Sequence, residues 1–360
     1  MDFHKLITRY KQFGGLRLVW QYTELGALGP AIKAGVRCLL KRQSFKTIYP
    51  EVLRRIEPFL IQKYGSMVQE FKSSRSSSLL HEHPKVIWWC WLQGIENAPS
   101  IVRASYNSLV RELNGSKVQE VQGLSDGYEI KVIDAENWKE YIELPDFIVN
   151  KWEKKQIPPA LFSDLLRLEL LIKYGGTWID STVLCTGFKD SNVDLSVEPA
   201  NARHTENKLS STLAQSQPSK WQEYLDADLF LFQYTNQGSI PVSISNWFIS
   251  ACSNNEVLMV LRKVLYAYWK DYDCVLDYYI FHLFFAMISK EYPKQILAMP
   301  YGQSQNSLVL LHHWGEKYDQ KKWDKLTNQV CFHKLAFRTK DSLKVTRDNY
   351  YNYILNTYDE

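Results

Sequence analysis

Residues 162–183, FSDLLRLELLIKYGGTWIDSTV, indicate the fold of this chain more clearly than any other stretch. A leucine-rich run of helical character ends at the double glycine of 175–176, which is a common way for a helix to stop. The apolar stretch TWID follows and is typical of a buried strand. The segment also carries Asp164, Arg167 and Asp180. Three charged side chains therefore lie where the pattern predicts burial, and they need a partner or a role.

The sequence before this segment alternates between strand and helix patterns. The runs KVIWWCW (85–91) and YEIKVID (128–134) are typical of buried strands, and SIVRASYNSLVREL (100–113) predicts a helix between them. Together with residues 162–183, this order predicts an α/β fold with a mostly parallel sheet. Further along, DADLFLFQY and SISNWFISA predict two strands around a turn at Gly238, and two aromatic-rich helices follow them.

The composition is that of a globular protein, since 45% of the 360 residues are hydrophobic and 23% are charged. No apolar run of about 18 residues predicts a transmembrane helix. The polar start MDFHKLITRYKQF lacks the apolar core of a secretory signal. Six cysteines are scattered without CxxC spacing, which favours reduced thiols in a cytosolic protein.

The charge is distributed unevenly. Residues 1–63 hold 12 Lys and Arg against four Asp and Glu, so the remainder is slightly acidic, which argues against nucleic acid as a partner. We expect a basic helical N-terminal region (1–80), an α/β domain (84–340) and a helical tail (341–360). Basic residues mixed with apolar ones suit the anionic inner leaflet of a membrane. A helical subdomain without a membrane role is the alternative.

The charged residues of the opening segment are expected to meet at one edge of the sheet. Asp164 and Arg167 are three residues apart and share a helix face, while Asp180 ends the next strand. In open α/β folds, ligands bind at the carboxyl ends of the strands. A carboxylate there can hold a divalent cation, and an arginine offers a fork of donors to phosphate or sugar oxygens. A surface ion pair and a turn cap are the simpler alternative.

Three motifs together resemble the capsular polysaccharide synthesis proteins and the broader clan of sugar transferases that carry a DXD motif. The motifs are PKVIWWCWLQG (84–94), SDLLRLELLIKYGG (163–176) and WIDST (178–182). That clan includes the yeast Golgi mannosyltransferases that start outer chains and the glucosylating bacterial toxins. Blocks around Asn246, 277–282 and His333 are similar to later blocks of the capsule family, less specifically.

The resemblance implies a GT-A-type nucleotide-diphosphate-sugar transferase fold, with a mostly parallel sheet flanked by helices. The N-terminal helical region is an addition to it. The first strand and nearby aromatics hold the nucleotide base in the clan, which places Trp88, Trp91 and Gln93 near the base. We expect the α/β domain (84–340) to be the catalytic domain.

The resemblance also assigns the charged cluster to the donor. Asp164 and Arg167 are expected to contact the donor sugar, and Asp180, the first aspartate of the DXD motif, to contact the ribose or a metal. The second aspartate is replaced by Thr182, whose neutral hydroxyl is a weaker ligand for Mg²⁺ or Mn²⁺. We nevertheless expect a divalent cation, held by Asp180, the diphosphate and a C-terminal residue such as His333.

Other residues are candidates for the acceptor or diphosphate side of the same site. They are Asn246, which is also a possible metal ligand, Asp277 and Lys334. If no metal binds, Lys334 and Arg338 are candidates to neutralise the diphosphate. The sequence contains no GxGxxG, Walker or GxSxG motif. It therefore gives no support to dinucleotide binding, to a P-loop nucleotide site or to a serine hydrolase.

These observations predict a cytoplasmic glycosyltransferase that associates peripherally with the inner membrane. It moves a sugar from a nucleotide diphosphate donor to a lipid-linked oligosaccharide during synthesis of a bacterial capsule or surface polysaccharide. The resemblance implies retention of anomeric configuration. Two alternatives remain open: a sugar-phosphate transferase of the same pathway, and a non-catalytic scaffold with a decayed transferase fold, which Thr182 makes conceivable.

Overall fold

The computed structural model describes residues 15–24, 26–41, 49–74, 82–115, 128–187, 221–234, 243–338 and 348–359. Its helices are α1 (Leu16–Glu24), α2 (Leu28–Lys41), α3 (Tyr49–Ser74), α4 (Ser100–Gly115), α5 (Trp138–Tyr141), α6 (Asp146–Glu153), α7 (Pro159–Tyr174), α8 (Trp221–Leu225), α9 (Glu256–Asp271), α10 (Ile280–Ser289), α11 (Pro293–Leu297), α12 (Ser304–His313), α13 (Gln320–Gln329) and α14 (Tyr350–Tyr358). Its strands are β1 (Val86–Cys90), β2 (Glu129–Ile133), β3 (Gly176–Asp180), β4 (Val183–Cys185), β5 (Leu229–Gln233), β6 (Ile244–Ala251) and β7 (Phe332–Lys334).

Five strands form the central sheet in the order β2-β1-β3-β6-β5. Strands β2, β1 and β3 are parallel, β6 is antiparallel to β3, and β5 is antiparallel to β6. Four of the five strands therefore point in the same direction, and β6 alone among them is reversed. The predicted α/β class with a mostly parallel sheet is confirmed. A separate pair joins β4 to β7.

Each strand of the sheet sends alternate side chains into two apolar cores, as the period of two requires. Trp88 and Trp178 lie in the core shared with α7, α9 and α10. Trp89 and Ile179, their chain neighbours, lie in the opposite core, which is covered by α4, α12 and α14. The near-continuous apolar strands of the sequence thus reflect a sheet buried on both faces.

The N-terminal region is helical in the residues described, and α3 packs against α9 and α10. Its residues Leu53, Ile56 and Leu60 are buried in the α7 core. Tyr64 donates a hydrogen bond to Asp271 at the end of α9, at 2.8 Å. The division of 1–80 from the α/β domain stays a prediction, because α3 shares its apolar face with that domain. None of the helices in the described ranges is long and apolar enough to cross a membrane.

The predicted turn at Gly238 lies outside the described residues.

The double glycine between α7 and β3 is required by backbone geometry. Gly175 and Gly176 have φ angles of +75° and +92°, a region that side chains disfavour. A Cβ on Gly176 would lie 2.5 Å from the Val86 carbonyl oxygen, and one on Gly175 would lie 2.7 Å from the Glu82 carbonyl oxygen. The glycines therefore allow α7 to end against the start of β1, which fixes where β3 enters the sheet.

We expect Gly176→Ala to lower the free energy of unfolding by roughly 2–4 kcal/mol, because a methyl group there meets backbone atoms. Urea unfolding followed by circular dichroism measures this. Gly65→Ala is the matched control: its Cβ would meet only Ile61 Cγ2 at 3.8 Å within α3. That variant should be stabilised by about 0.5–1 kcal/mol. Equal effects at both positions would contradict the constraint.

Candidate active site

The carboxyl edge of the parallel strands is the place where the charged residues of the sequence meet. Cys90 at the end of β1 is paired with Asp180 at the end of β3. Because β6 runs in the opposite direction, its first residues, including Asn246, lie at this same edge. Helix α7 packs against β1, β3 and β6. Residues from three elements are thus brought to one place.

Arg167 joins two carboxylates at this edge. Its Nη1 atom lies 2.7 Å from Asp164 Oδ1, and its Nη2 atom donates a hydrogen bond to Asp180 Oδ1 at 3.1 Å. Asn246 Nδ2 donates to the same oxygen of Asp164 at 2.9 Å. Trp178 Nε1 donates to Asp180 Oδ1 at 2.9 Å, and the Trp178 ring lies 4.9 Å from the guanidinium carbon. These contacts form a connected cluster, which we call the Arg167 cluster.

The local sequence explains why these side chains meet. Arg167 lies about one helical turn after Asp164 in α7, so the two side chains share a face of the helix. Asp180 is two residues after Trp178, so strand alternation directs both side chains towards the core of α7. The role of Trp178 was not predicted from the sequence. Its separation of two residues from Asp180 nevertheless indicates that both side chains lie on the same face of the strand.

Arg167 keeps donors for a ligand. Its side chain is only 4% exposed, and among the described residues its Nε and Nη1 atoms have no hydrogen-bond partner. The short contact from Nη1 to Asp164 is thus an ion pair without hydrogen-bond alignment. A buried N–H without an acceptor is costly. The described part of the structure therefore leaves two buried nitrogens of Arg167 without an acceptor.

Lys334 approaches Asp180 from the other side. Its ammonium donates to Asp180 Oδ2 at 2.8 Å and to Thr182 Oγ1 at 2.6 Å. It arrives there because β7 pairs with β4, with Lys334 opposite Val183. The Asp180 side chain is 25% exposed and that of Lys334 is 21% exposed, so both are partly accessible to solvent.

The two carboxyl groups have different electrostatic surroundings. Burial raises the pKa of Asp164 to about 7; the charge of Arg167 opposes this rise and Asp180 adds to it. Burial alone would also raise the pKa of Asp180, but the charges of Lys334 and Arg167 outweigh it and the pKa is lowered. At neutral pH, Asp180 is therefore ionised, whereas Asp164 is close to the midpoint of its titration.

Two residues of the segment 277–282 lie near the charges of the cluster. Burial raises the pKa of Tyr278 to about 12, and the charges of Asp164 and Asp180 add to the rise, so this exposed tyrosine lies near both acids. Burial and then the charge of Arg167 lower the pKa of His282 to about 3. The sequence pointed to Asp277 instead. Asp277 is buried and accepts a hydrogen bond from the Tyr279 backbone N–H at 2.7 Å.

The three residues expected near the nucleotide base are dispersed. Trp88 is 2% exposed, and its indole N–H donates to the Gly175 carbonyl at 2.9 Å, inside the α7 core. Trp91 lies just after β1, and its ring contacts Phe337 edge-on at 5.4 Å between centroids. Gln93 is exposed. Of the three, Trp91 is at the carboxyl edge with an aromatic partner that is itself partly exposed.

The predicted metal ligands Asp180 and His333 do not come together. His333 is buried, and its Nε2 atom lies 2.9 Å from Thr186 Oγ1. Adjacent strand residues point in opposite directions, so Lys334, and not His333, faces Asp180. Burial lowers the pKa of His333 to about 4. An ammonium group between Asp180 and Thr182 does not fit a cation site at the DXD-like motif.

Another group of possible metal ligands lies elsewhere. Atoms of His83, Asp228 and Cys252 are within 4.8 Å of one another. His83 Nε2 is 2.6 Å from Asp228 Oδ1. These residues precede β1 and β5 and follow β6, so they occupy the opposite edge of the sheet from Asp180. They cannot hold a cation for a ligand in the crevice.

The raised pKa of Asp164 predicts a pH-dependent cost of folding. Between pH 4 and 7 the unfolded chain ionises this carboxyl while the folded chain keeps its proton, so stability falls as pH rises. Asp164→Asn removes this cost. Its free energy of unfolding relative to wild type should rise by roughly 2 kcal/mol between pH 5 and 7. Urea unfolding at both pH values measures this, and a pH-independent difference would contradict it. Asp348→Asn, at an exposed carboxylate, is the control.

Comparisons with known proteins show which family the chain belongs to. No curated protein matches the chain. Among solved structures, the PaToxG glycosyltransferase is similar at 13% sequence identity and a TM-score of 0.34, over 79% of this chain and 95% of that chain. The family model described as capsular polysaccharide synthesis protein matches residues 37–221 and 209–354. Since these two segments together span most of the 360 residues, the chain belongs to the capsular polysaccharide synthesis protein family.

Proposed function

We propose that this protein is a glycosyltransferase of capsule or surface polysaccharide synthesis. It transfers a sugar from a nucleotide diphosphate donor to a lipid-linked saccharide. The observation that carries the proposal is the Arg167 cluster, where a guanidinium with two unused donors and two carboxylates lie at the carboxyl edge of an α/β sheet. Family membership supports the polysaccharide pathway.

The cluster residues have distinct roles in donor binding. The Nε and Nη1 atoms of Arg167 donate to sugar hydroxyls or phosphate oxygens, because guanidinium geometry matches such acceptors. Asp164 binds a sugar hydroxyl and is oriented by Asn246 Nδ2 at 2.9 Å. Asp180 keeps Arg167 and Lys334 in place through opposite oxygens.

Aromatic and cationic side chains form a candidate wall for the nucleotide base. Trp91 contacts Phe337, which is 41% exposed, and the guanidinium of Arg338 lies 5.3 Å from the Phe337 ring. Aromatic faces and arginine planes stack on bases without selecting one strongly. The base and sugar are best identified with a thermal-shift panel of nucleotide sugars, since a bound donor raises the melting temperature.

The transfer breaks the bond between the anomeric carbon and the diphosphate oxygen, and the nucleotide diphosphate leaves with the electron pair. The acceptor oxygen bonds to the anomeric carbon and its proton passes to the departing phosphate. Both carboxylates of the cluster are engaged by cations or amides, so neither is a free general base. This arrangement supports a retaining transfer, in which positioning and leaving-group stabilisation provide most of the rate enhancement.

The helical hairpin α1–α2 is a candidate surface for the inner leaflet of the membrane. Leu16, Val19 and Trp20 share one exposed face of α1, and the side chains of Leu16 and Trp20 are 82% and 63% exposed. Exposed apolar residues also line α2 at intervals of four; they are Ile32, Val36 and Leu40. The described part of this hairpin, 15–24 and 26–41, contains four basic residues and one acid. An anionic lipid surface complements both features.

The position of this surface suits a lipid-borne acceptor. A cleft of about 740 Å³ opens beside the hairpin, lined in part by Arg54 and Arg55, which can bind anionic headgroups. Burial and then the charge of Asp277 raise the pKa of Tyr22, so α1 lies close to the segment that carries Tyr278. A membrane bound at α1 and α2 would therefore be near the crevice.

We expect Asp180→Asn and Asp164→Asn each to lower donor turnover by at least about a hundredfold, because each removes charge from a preorganised site. Nucleotide release from UDP-, GDP- and dTDP-sugars, measured with and without Mn²⁺, checks this, and thermal unfolding confirms that the variants fold. Asp348→Asn should keep full activity. Full activity in both cluster variants would refute the site. Wild-type protein that neither binds nor turns over any donor would favour a scaffold.

We expect the triple variant Leu16→Ser, Trp20→Ser, Leu40→Ser to bind vesicles containing phosphatidylglycerol at least tenfold more weakly than wild type, because it removes apolar area that would enter the lipid. Vesicle co-sedimentation measures this binding. Leu297→Ser is the matched control, since Leu297 is 85% exposed on α11. Binding of the triple variant at wild-type strength, or wild-type binding that is equal on pure phosphatidylcholine, would contradict the assignment.

A further inference from the structure

The ammonium of Lys334 occupies the position between the two side chains of the DXD-like motif. It lies 2.8 Å from Asp180 Oδ2 and 2.6 Å from Thr182 Oγ1. The backbone reinforces this placement, because the Leu335 N–H donates to the Thr182 carbonyl at 2.8 Å. The lysine is therefore held by the β4–β7 pair and by both motif side chains.

A count of donors shows what the lysine has left to offer. An ammonium carries three N–H groups, and contacts within the described residues use two of them. The side chain is 21% exposed. One N–H is thus available to an anion, and the other two fix the direction in which it points.

A count of acceptors shows why a divalent cation is not expected at the motif. An ionised carboxylate offers about four lone pairs. Asp180 Oδ1 accepts from Arg167 and Trp178, and Oδ2 accepts from Lys334. A cation bound to the remaining lone pair would lie against the ammonium. Thr182 adds only a neutral oxygen, and His333 points to the opposite side of its strand.

The charges are also balanced without a metal. Two carboxylates with one divalent cation sum to zero. One carboxylate with one ammonium also sums to zero, and this is the pair formed by Asp180 and Lys334 at 2.8 Å. The threonine at 182 and the lysine at 334 thus complement each other. If residue 182 were a metal-binding aspartate, the ammonium of Lys334 would repel the cation. If residue 334 were a metal ligand, Thr182 would add no charge to hold the cation.

We infer that Lys334 replaces the divalent cation: its third N–H binds the diphosphate of the donor, and transfer proceeds without a metal. This inference rests on the proposed function and deepens it. When the anomeric bond breaks, negative charge grows on the diphosphate oxygen. A fixed ammonium stabilises that charge without reorganisation. The expected metal of the sequence analysis is thereby replaced by a residue of the chain.

The test measures binding of UDP, GDP and dTDP by calorimetry, first in EDTA and then in Mn²⁺. Wild-type protein should bind the preferred diphosphate equally well in both. Lys334→Gln should bind it roughly tenfold to a hundredfold more weakly, as expected for loss of one hydrogen bond to a charged group, and Lys334→Arg should recover most of the affinity. Lys317→Gln, at a side chain 83% exposed, should bind like wild type.

A second measurement follows Mn²⁺ directly by electron paramagnetic resonance, in a His83→Ala background that removes the ligand group at the opposite edge. No Mn²⁺ should bind when Lys334 is present. Lys334→Asp should create a pair of carboxylates with Asp180 and gain Mn²⁺ binding. Strong Mn²⁺ binding to the background protein would overturn the inference.

The outcomes separate this inference from the proposed function. Loss of wild-type diphosphate binding in EDTA, or unchanged affinity in folded Lys334→Gln, overturns the role of Lys334 and leaves the transferase assignment intact. Absence of diphosphate binding by wild-type protein under every condition overturns the proposed function and the inference with it. The EDTA comparison uses wild-type protein alone, so it is decisive even if Lys334→Gln does not fold.

Discussion

The buried guanidinium of Arg167 is the constraint on which the rest of the site depends. An arginine remains charged in proteins, and a charge removed from water needs partners. Asp164 from α7 and Asp180 from β3 supply them. The pairing holds the helix and the strand end at a fixed separation. Removal of Arg167 would leave Asp164 without a cationic partner, while Asp180 would keep only Lys334, so the structural and functional roles of Arg167 coincide.

The sheet topology supplies the remaining groups. Reversal of β6 places Asn246 at the carboxyl edge, where it donates to Asp164. The small β4–β7 pair, which lies outside the five-stranded sheet, delivers Lys334 to Asp180. The sheet and the added pair therefore approach the same carboxylate from different sides. A parallel β6 would carry Asn246 to the opposite edge.

Local spacing made part of this site predictable. We expected Asp164, Arg167 and Asp180 to lie together because the first two are three residues apart on a helix and the third ends the strand after a double glycine. The alternation of strand and helix patterns was sufficient to predict the fold class. The choice between His333 and Lys334 depends on which face of β7 is turned towards Asp180. This orientation follows from the long-range pairing of β4 with β7, which no short sequence pattern predicts.

The same limit explains two further differences. Trp88 and Trp91 look alike in the sequence, but strand alternation sends Trp88 into the α7 core, while Trp91 lies just beyond the end of β1. Asp277 and Tyr278 are neighbours, and the turn before α10 buries the acid and exposes the tyrosine near the cluster. The offset is three residues in the first case and one residue in the second.

The charges of the cluster suggest how it accommodates an anionic donor. With Asp164 ionised, the two acids cancel Arg167 and Lys334, and a diphosphate would enter a neutral site. Because burial raises the pKa of Asp164 to about 7, this carboxyl can take up a proton at little cost near neutral pH. An incoming diphosphate would favour that protonation, since like charges repel. The site is then more positive with the donor bound than in the free protein, where Asp164 is only partly protonated near neutral pH.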